Sequence, residues 1–151
     1  MSETDLNRAS KLGMKLIPQL GEIKKQSTDE LADDLSALSV SIERLNTMVS
    51  RGESNRHDLL NAVAAVKGYS EMLLDSNDAL IGTIRLAIRG MIDELTATSG
   101  ASKTPENLPQ ATRSLDTFEG CTILVVDDLP ENLDLMSRLL GKMQCEVITA
   151  K

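Results

Sequence analysis

Aromatic residues are almost absent from this chain of 151 residues, which contains one tyrosine, one phenylalanine and no tryptophan. A core must therefore be built from aliphatic side chains, which suits helices with repeating apolar faces. The net charge of -7, without any lysine–arginine cluster, argues against a nucleic-acid surface. No apolar run is long enough to cross a bilayer, and the opening MSETDLNRAS lacks the hydrophobic centre of a signal peptide. The sequence therefore predicts a cytoplasmic protein with no membrane partner.

Cysteine and histidine are scarce as well, with two cysteines and one histidine. The two cysteines, Cys121 and Cys145, lack the spacing of a metal site, and each begins an apolar run. We therefore expect both thiols to be buried in a core. The one histidine, His57, is followed directly by Asp58, and Asn61 comes one helical turn later.

A seven-residue repeat dominates the middle of the chain. Apolar residues recur in alternating steps of four and three, as in a coiled-coil seam: Leu31, Leu35, Leu38, Ile42, Leu45 and Val49. The same phase continues through Gly52 and Arg56 to Leu73. The spacing predicts either one long helix with a weak point or two helices in a common register. His57 lies one residue beyond the seam position Arg56, which predicts that its side chain is exposed.

Residues 27–98 are predicted to form a helical hairpin. Ser27 and Glu30 have the spacing of a capping box, and the turn signal Asp75–Asp78 precedes a second amphipathic helix, roughly Ala79–Ala97. A single hairpin leaves its apolar stripe half covered, so we expect a homodimer that closes into an antiparallel four-helix bundle. The alternative is that the N-terminal helical segment, residues 1–26 with a helix-breaking Pro18, folds back over the stripe.

The character of the sequence changes after residues 99–119, a linker rich in Ser, Thr and Pro. Residues 120–151 begin with the β-branched run Ile123–Val126, which predicts a strand buried on both faces. Pro130 then opens a helix, and a second strand begins near Cys145. This order predicts the start of a parallel α/β fold. Such a piece cannot bury its own faces, so we expect the chain to be a fragment of a longer protein.

Two stretches resemble known families. His57–Leu73, HDLLNAVAAVKGYSEML, resembles the H-box helix of histidine-kinase dimerisation and phosphoacceptor domains through its His, the following acidic residue, Leu, Asn, and the Gly-Tyr pair. Leu60 replaces the usual basic residue, and Ala62 replaces a proline that is associated with helix bending. Thr122–Lys151 is similar to the opening of a response-regulator receiver domain, with Asp127 and Asp128 as its acidic pair.

The resemblance implies two-component signal transduction, with His57 as the phosphoacceptor. Asp58 would accept the proton of the second ring nitrogen and fix the tautomer, and Asn61 would orient a water molecule for dephosphorylation. Arg56 could contact the phosphoryl group in place of the missing basic residue. In a complete receiver Asp127 and Asp128 would bind Mg²⁺, so this stretch would hold an incomplete metal site and no cofactor of its own.

The phosphoryl source is expected to be another protein. No glycine-rich nucleotide motif follows the second helix, so His57 would receive phosphate from a separate histidine kinase or from a receiver's phospho-aspartate. Whether the chain is an enzyme is left open by this pattern. The alternative function is a non-catalytic dimerisation scaffold that aligns downstream receiver and output domains. Such an output domain could be a nucleotide cyclase, a diguanylate cyclase or a phosphatase.

Overall fold

The computed structural model describes residues 3–52, 55–76, 78–98 and 120–151. The chain forms two compact units, Met1–Ser102 and Lys103–Lys151. The predicted linker, residues 99–119, lies outside the described residues. Within the described ranges, no helix combines the length and the apolar character needed to cross a membrane.

The first unit is a bundle of four long helices from one chain. Their bounds are α1, Glu3–Lys24; α2, Asp29–Ser50; α3, Arg56–Leu74; and, after the short helix α4 at Ala79–Gly82, α5 at Arg85–Thr98. Each long helix packs on the next, and α1 also packs on α5, which closes the ring. The core is aliphatic, as predicted, and its fully buried side chains come from all four long helices: Leu16, Leu20, Leu35, Leu38, Ile42, Leu45, Met72, Leu73, Ile88, Met91 and Leu95.

Helix α1 covers the apolar stripe that the sequence appeared to leave open. Ser10 donates a hydrogen bond from its Oγ to Asn46 Oδ1 of α2 at 2.7 Å, and Gly13 lies against Ile42 and Met91. Pro18 lies inside α1 without ending the helix. The prediction of a half-covered hairpin is therefore wrong, because α1, Glu3–Lys24, belongs to the same bundle. A homodimer stays a prediction, but it is no longer supported by an uncovered apolar stripe.

The chain reverses between α2 and α3, so the two-helix alternative is correct. Arg51 and Gly52 donate their amides to Thr47 O and Val49 O, and Gly52 has a φ of 64°, a conformation that favours glycine. The capping box expected at the start of α2 does not form. Thr28 is the N-cap and makes no side-chain cap bond, whereas the Ser27 hydroxyl donates to Lys24 O at the end of α1.

The connection from α3 to α5 is held by side chains. Asp78 Oδ1 accepts the Leu80 amide at 2.8 Å, which caps α4. The Arg85 guanidinium donates to Leu74 O at 2.8 Å and to Ser76 O at 3.2 Å. The second helix, expected as one piece, is thus divided between α4 and α5. Because carbonyl groups at the end of α3 receive charge-assisted bonds, the turn fixes how α5 returns along α3.

The second unit is a strand–helix–strand unit, as predicted. Strands β1, Thr122–Val126, and β2, Glu146–Ala150, pair in parallel and are connected by α6, Pro130–Lys142. Leu124 and Val126 are 61% and 64% exposed, so β1 is not buried on both faces within this unit, in keeping with the expectation that such a piece cannot bury its own faces. Alternate residues of β1 point towards α6, and one helix can cover only one face of a sheet.

Candidate functional site

His57 is exposed in the first turn of α3, as its position outside the seam predicted. Asn55 is the N-cap of this helix, and its Oδ1 accepts the His57 backbone amide at 3.1 Å. This bond satisfies one of the amides that every helix start leaves without an intrahelical partner. The backbone beneath the imidazole is therefore held by a local cap, while the ring itself faces solvent.

Asp58 is engaged by the same cap. Asn55 Nδ2 donates to Asp58 Oδ2 at 2.6 Å, so one asparagine side chain both accepts from His57 N and donates to the Asp58 carboxylate. The arrangement resembles a capping box, in which the N-cap and the third helical residue satisfy each other. Asp58 Oδ2 therefore accepts a hydrogen bond from Asn55 and not from the imidazole of His57.

Asn61, one turn after His57, is half-buried. Asn61 Nδ2 is buried and has no hydrogen-bond partner among the described residues. A buried donor without a partner costs about 1–3 kcal/mol. The amide nitrogen of Asn61 is therefore not exposed to solvent, and its role in dephosphorylation stays a prediction.

The exposed residues near His57 on α3 combine one positive charge with apolar side chains. Arg56, Leu60 and Ala64 are exposed, and Leu60 remains 38% exposed although it is a large hydrophobic residue. Arg56 directly precedes His57 and supplies a positive charge in the same turn. The N-terminal end of a helix also carries a partial positive charge, which favours an anion there. Both features suit a group that becomes negatively charged when it binds a phosphoryl group.

The acidic pair of the second unit follows the end of β1. Asp127 Oδ1 accepts the Leu129 amide at 2.8 Å, and Asn132 Nδ2 donates to both Asp127 oxygens at 3.1 and 3.2 Å. Asp128 is exposed. Within the described residues, no group of three or more His, Cys, Asp or Glu residues is placed to hold a metal ion. Asp127 therefore stabilises the start of α6, and the two carboxylates alone do not fit a complete Mg²⁺ site.

The sequence analysis did not identify Asn55, and it placed the two cysteines wrongly. Asn55 caps α3 beside His57. The sequence pattern that could have identified it is a glycine followed three residues later by an N-cap residue, since glycine often ends one helix and such a residue begins the next. Cys121 is exposed and Cys145 half-buried, so the expectation that both are core thiols is wrong.

The chain matches no family model, and no curated protein or solved structure resembles it significantly.

Proposed function

We propose that the helical bundle is a histidine phosphoacceptor and phosphotransfer module of two-component signalling, with His57 as the residue that carries the phosphoryl group. The observation that carries the proposal is the position of the one histidine of the chain. It is exposed on the first turn of α3, on a backbone that Asn55 caps. Phosphoryl transfer requires mainly a positioned nucleophile and stabilisation of charge, and an exposed imidazole supplies the first.

The transfer step uses few groups. A neutral ring nitrogen of His57 attacks phosphorus, a P–N bond forms, and the bond from phosphorus to the donor breaks with its electron pair leaving on the donor. The other ring nitrogen keeps its proton, so the phosphorylated ring carries a positive charge. Asp58 Oδ1 can accept that N–H, because the bond from Asn55 uses Oδ2.

Charge near the helix start supports the product. The phosphoryl oxygens are negative, and the first turn of α3 presents Arg56 together with the positive end of the helix dipole. Leu60, where the resemblance implies a basic residue, contributes no charge, so Arg56 is the cation that this proposal assigns to the phosphoryl group. The donor is a separate histidine kinase or the phospho-aspartate of a receiver.

The second unit enters the proposal as the start of a receiver-like domain in a cytoplasmic regulatory protein. Its support is the observed parallel strand–helix–strand order with Asp127 and Asp128 at the end of β1. In a complete domain the two carboxylates would contribute oxygen ligands to Mg²⁺. The hydrogen bonds from Leu129 and Asn132 would then have to be shared or replaced at Asp127.

A second candidate is a helical scaffold without chemistry that aligns downstream domains. One observation favours it: the Asn55–Asp58 bond explains the acidic residue next to His57 as part of a helix cap. The scaffold needs no reactive histidine, so the two functions differ in whether His57 becomes modified.

Substitution of His57 by glutamine tests the proposal. The parent protein, incubated with a panel of phosphorylated histidine kinases and receivers, is expected to acquire an acid-labile, alkali-stable label. The His57→Gln variant is expected to remain at background, because the nucleophile is gone. Glu43→Gln, an exposed change on α2, serves as the control and should label like the parent. Equal labelling of His57→Gln, or no labelling of the parent by any donor, would support the scaffold instead.

Substitution of Asp58 by asparagine separates catalysis from capping. If Asp58 Oδ1 accepts a hydrogen bond from the imidazole N–H, it fixes the tautomer and stabilises the positive ring, and the rate of labelling in Asp58→Asn is expected to fall by a factor of about 100 or more. Asn55→Ala is the comparison, since it removes the cap at a cost of about 1 kcal/mol but keeps the carboxylate. Stopped-flow or quench-flow labelling measures both rates. A rate for Asp58→Asn equal to that of the parent would reduce Asp58 to a capping residue.

A further inference from the structure

The two cysteines of the chain lie next to each other across the parallel sheet. Strands β1 and β2 pair in a register that begins with Thr122 opposite Glu146. The Glu146 amide donates to Cys121 O at 2.9 Å, so the pairing reaches the residue before each strand. Extending the register by one position places Cys121 opposite Cys145. The sequence alone did not indicate that the two cysteines are neighbours, because α6 lies between them along the chain.

The side chains of this pair point to the same side of the sheet. Thr122 Oγ1 donates to Glu146 Oε2 at 2.9 Å, which places those two side chains on one face. Side chains alternate along a strand, so Cys121 and Cys145 belong to the other face, with Ile123 and Val147. Neighbouring strands lie about 4.8 Å apart. Disulfide-bonded cysteines have Cα–Cα separations of about 4.4–6.8 Å.

We propose that Cys121 and Cys145 form a reversible intramolecular disulfide that ties together the starts of β1 and β2. Both residues lie one position before the strands, and the bond from the Glu146 amide to Cys121 O holds their backbones side by side. Cys121 is exposed and therefore accessible to an oxidant, whereas Cys145 is half-buried. This proposal concerns the second unit and does not depend on the function of His57.

The oxidant is a small-molecule disulfide such as oxidised glutathione. The Cys121 thiolate attacks one glutathione sulfur, the S–S bond of glutathione breaks, and the first glutathione thiolate leaves. The Cys145 thiolate then attacks the sulfur of Cys121, and the second glutathione thiolate leaves. Two protein thiols are oxidised to one disulfide, one glutathione disulfide is reduced to two thiols, and the two protons released by the cysteines end on glutathione.

Equilibration of the whole chain in glutathione buffers of stepped ratio tests the proposal. Proteolysis without reductant, followed by mass spectrometry, should recover a peptide pair joined between Cys121 and Cys145, with a fraction that rises as the buffer becomes more oxidising. Hydrogen exchange at the amides of β1 and β2 should be slower in the oxidised protein, because the disulfide limits the separation of the two strands. Persistent free thiols, separate glutathione adducts on both cysteines, or disulfides only between chains would overturn the proposal.

A variant that moves one thiol by one position is the matched control. In the double variant Cys145→Ser, Glu146→Cys, the second thiol lies on the opposite face of the sheet from Cys121. This variant is expected to form mixed disulfides with glutathione and at least tenfold less intramolecular disulfide than the parent. Equal disulfide formation in both proteins would show that flexibility, and not the register of the strands, brings the thiols together.

Discussion

Replacing Leu16 by aspartate is expected to unfold the helical bundle under conditions in which the parent is folded. Leu16 is 1% exposed in the middle of α1, the helix that packs on both α2 and α5. Loss of a buried leucine costs about 2–5 kcal/mol, and an unpaired carboxylate in the same space adds a desolvation cost. Small domains are stable by about 5–15 kcal/mol, so a single change of this kind removes most of the free energy of unfolding.

Urea denaturation followed by tyrosine fluorescence measures this effect in the bundle alone. Tyr69 is the one tyrosine of the chain and is 3% exposed on α3, so its emission reports the first unit and not the second. Gln19→Asp is the control, since it introduces the same charge at an exposed position of α1. We expect this control to change the free energy of unfolding by no more than about 0.5 kcal/mol. Similar midpoints for the two variants would show that α1 does not close the bundle.

Alanine at Gly13 is expected to destabilise the bundle, although alanine is the better helix former. A Cβ atom at Gly13 would lie 2.7 Å from Ile42 Cγ2 and 3.3 Å from Met91 Sδ. Ile42 is β-branched and fully buried, so its Cγ2 cannot rotate out of the way. Overpacking of this kind costs about 1–3 kcal/mol, beyond the gain of up to about 1 kcal/mol in helix propensity. With the full gain in helix propensity, a net loss of up to about 2 kcal/mol follows from those ranges.

The matched substitution is Gly21→Ala in the same helix. A Cβ atom at Gly21 would meet nothing within 4 Å, so only the gain in helix propensity remains. The free energy of unfolding is expected to rise by up to about 1 kcal/mol at Gly21 and to fall at Gly13. Urea titrations of both variants test this difference in sign. If both variants are more stable than the parent, Gly13 of α1 lies farther from Ile42 and Met91 than the structure indicates.

The limits of the sequence prediction are clear at the turn between α2 and α3. The seven-residue phase continues across Gly52 and Arg56, so periodicity predicted a common register but not the reversal of the chain. A repeat identifies which face of a helix is apolar, and antiparallel neighbours satisfy it as well as a continuous helix does. The reversal depends on local chemistry instead: Gly52 in a left-handed conformation and Asn55 at the next N-cap.

The candidate site shows a similar division between pattern and geometry. The exposure of His57 followed from its position relative to the seam, and the structure confirms it. The surroundings of Asp58 and Asn61 did not follow, because Asp58 lies about 100° around the helix axis from His57 and Asn61 shares its face only approximately. A rotation of a few tens of degrees about the helix axis decides whether the Asn61 amide is buried or exposed, and Asp58 bonds to Asn55, which precedes the helix. These contacts depend on rotamers and on a cap, which spacing alone does not determine.

The order of the helices around the bundle also bears on how it forms. Contacts of α1 with α2 and of α2 with α3 join neighbours along the chain, whereas the contact of α1 with α5 joins the two most distant long helices. Local contacts form rapidly because little loop-closure entropy is lost, so proteins rich in them fold within microseconds to milliseconds. We therefore expect the α2–α3 hairpin, with the turn that presents His57, to assemble early in folding and the α1–α5 seam to close last.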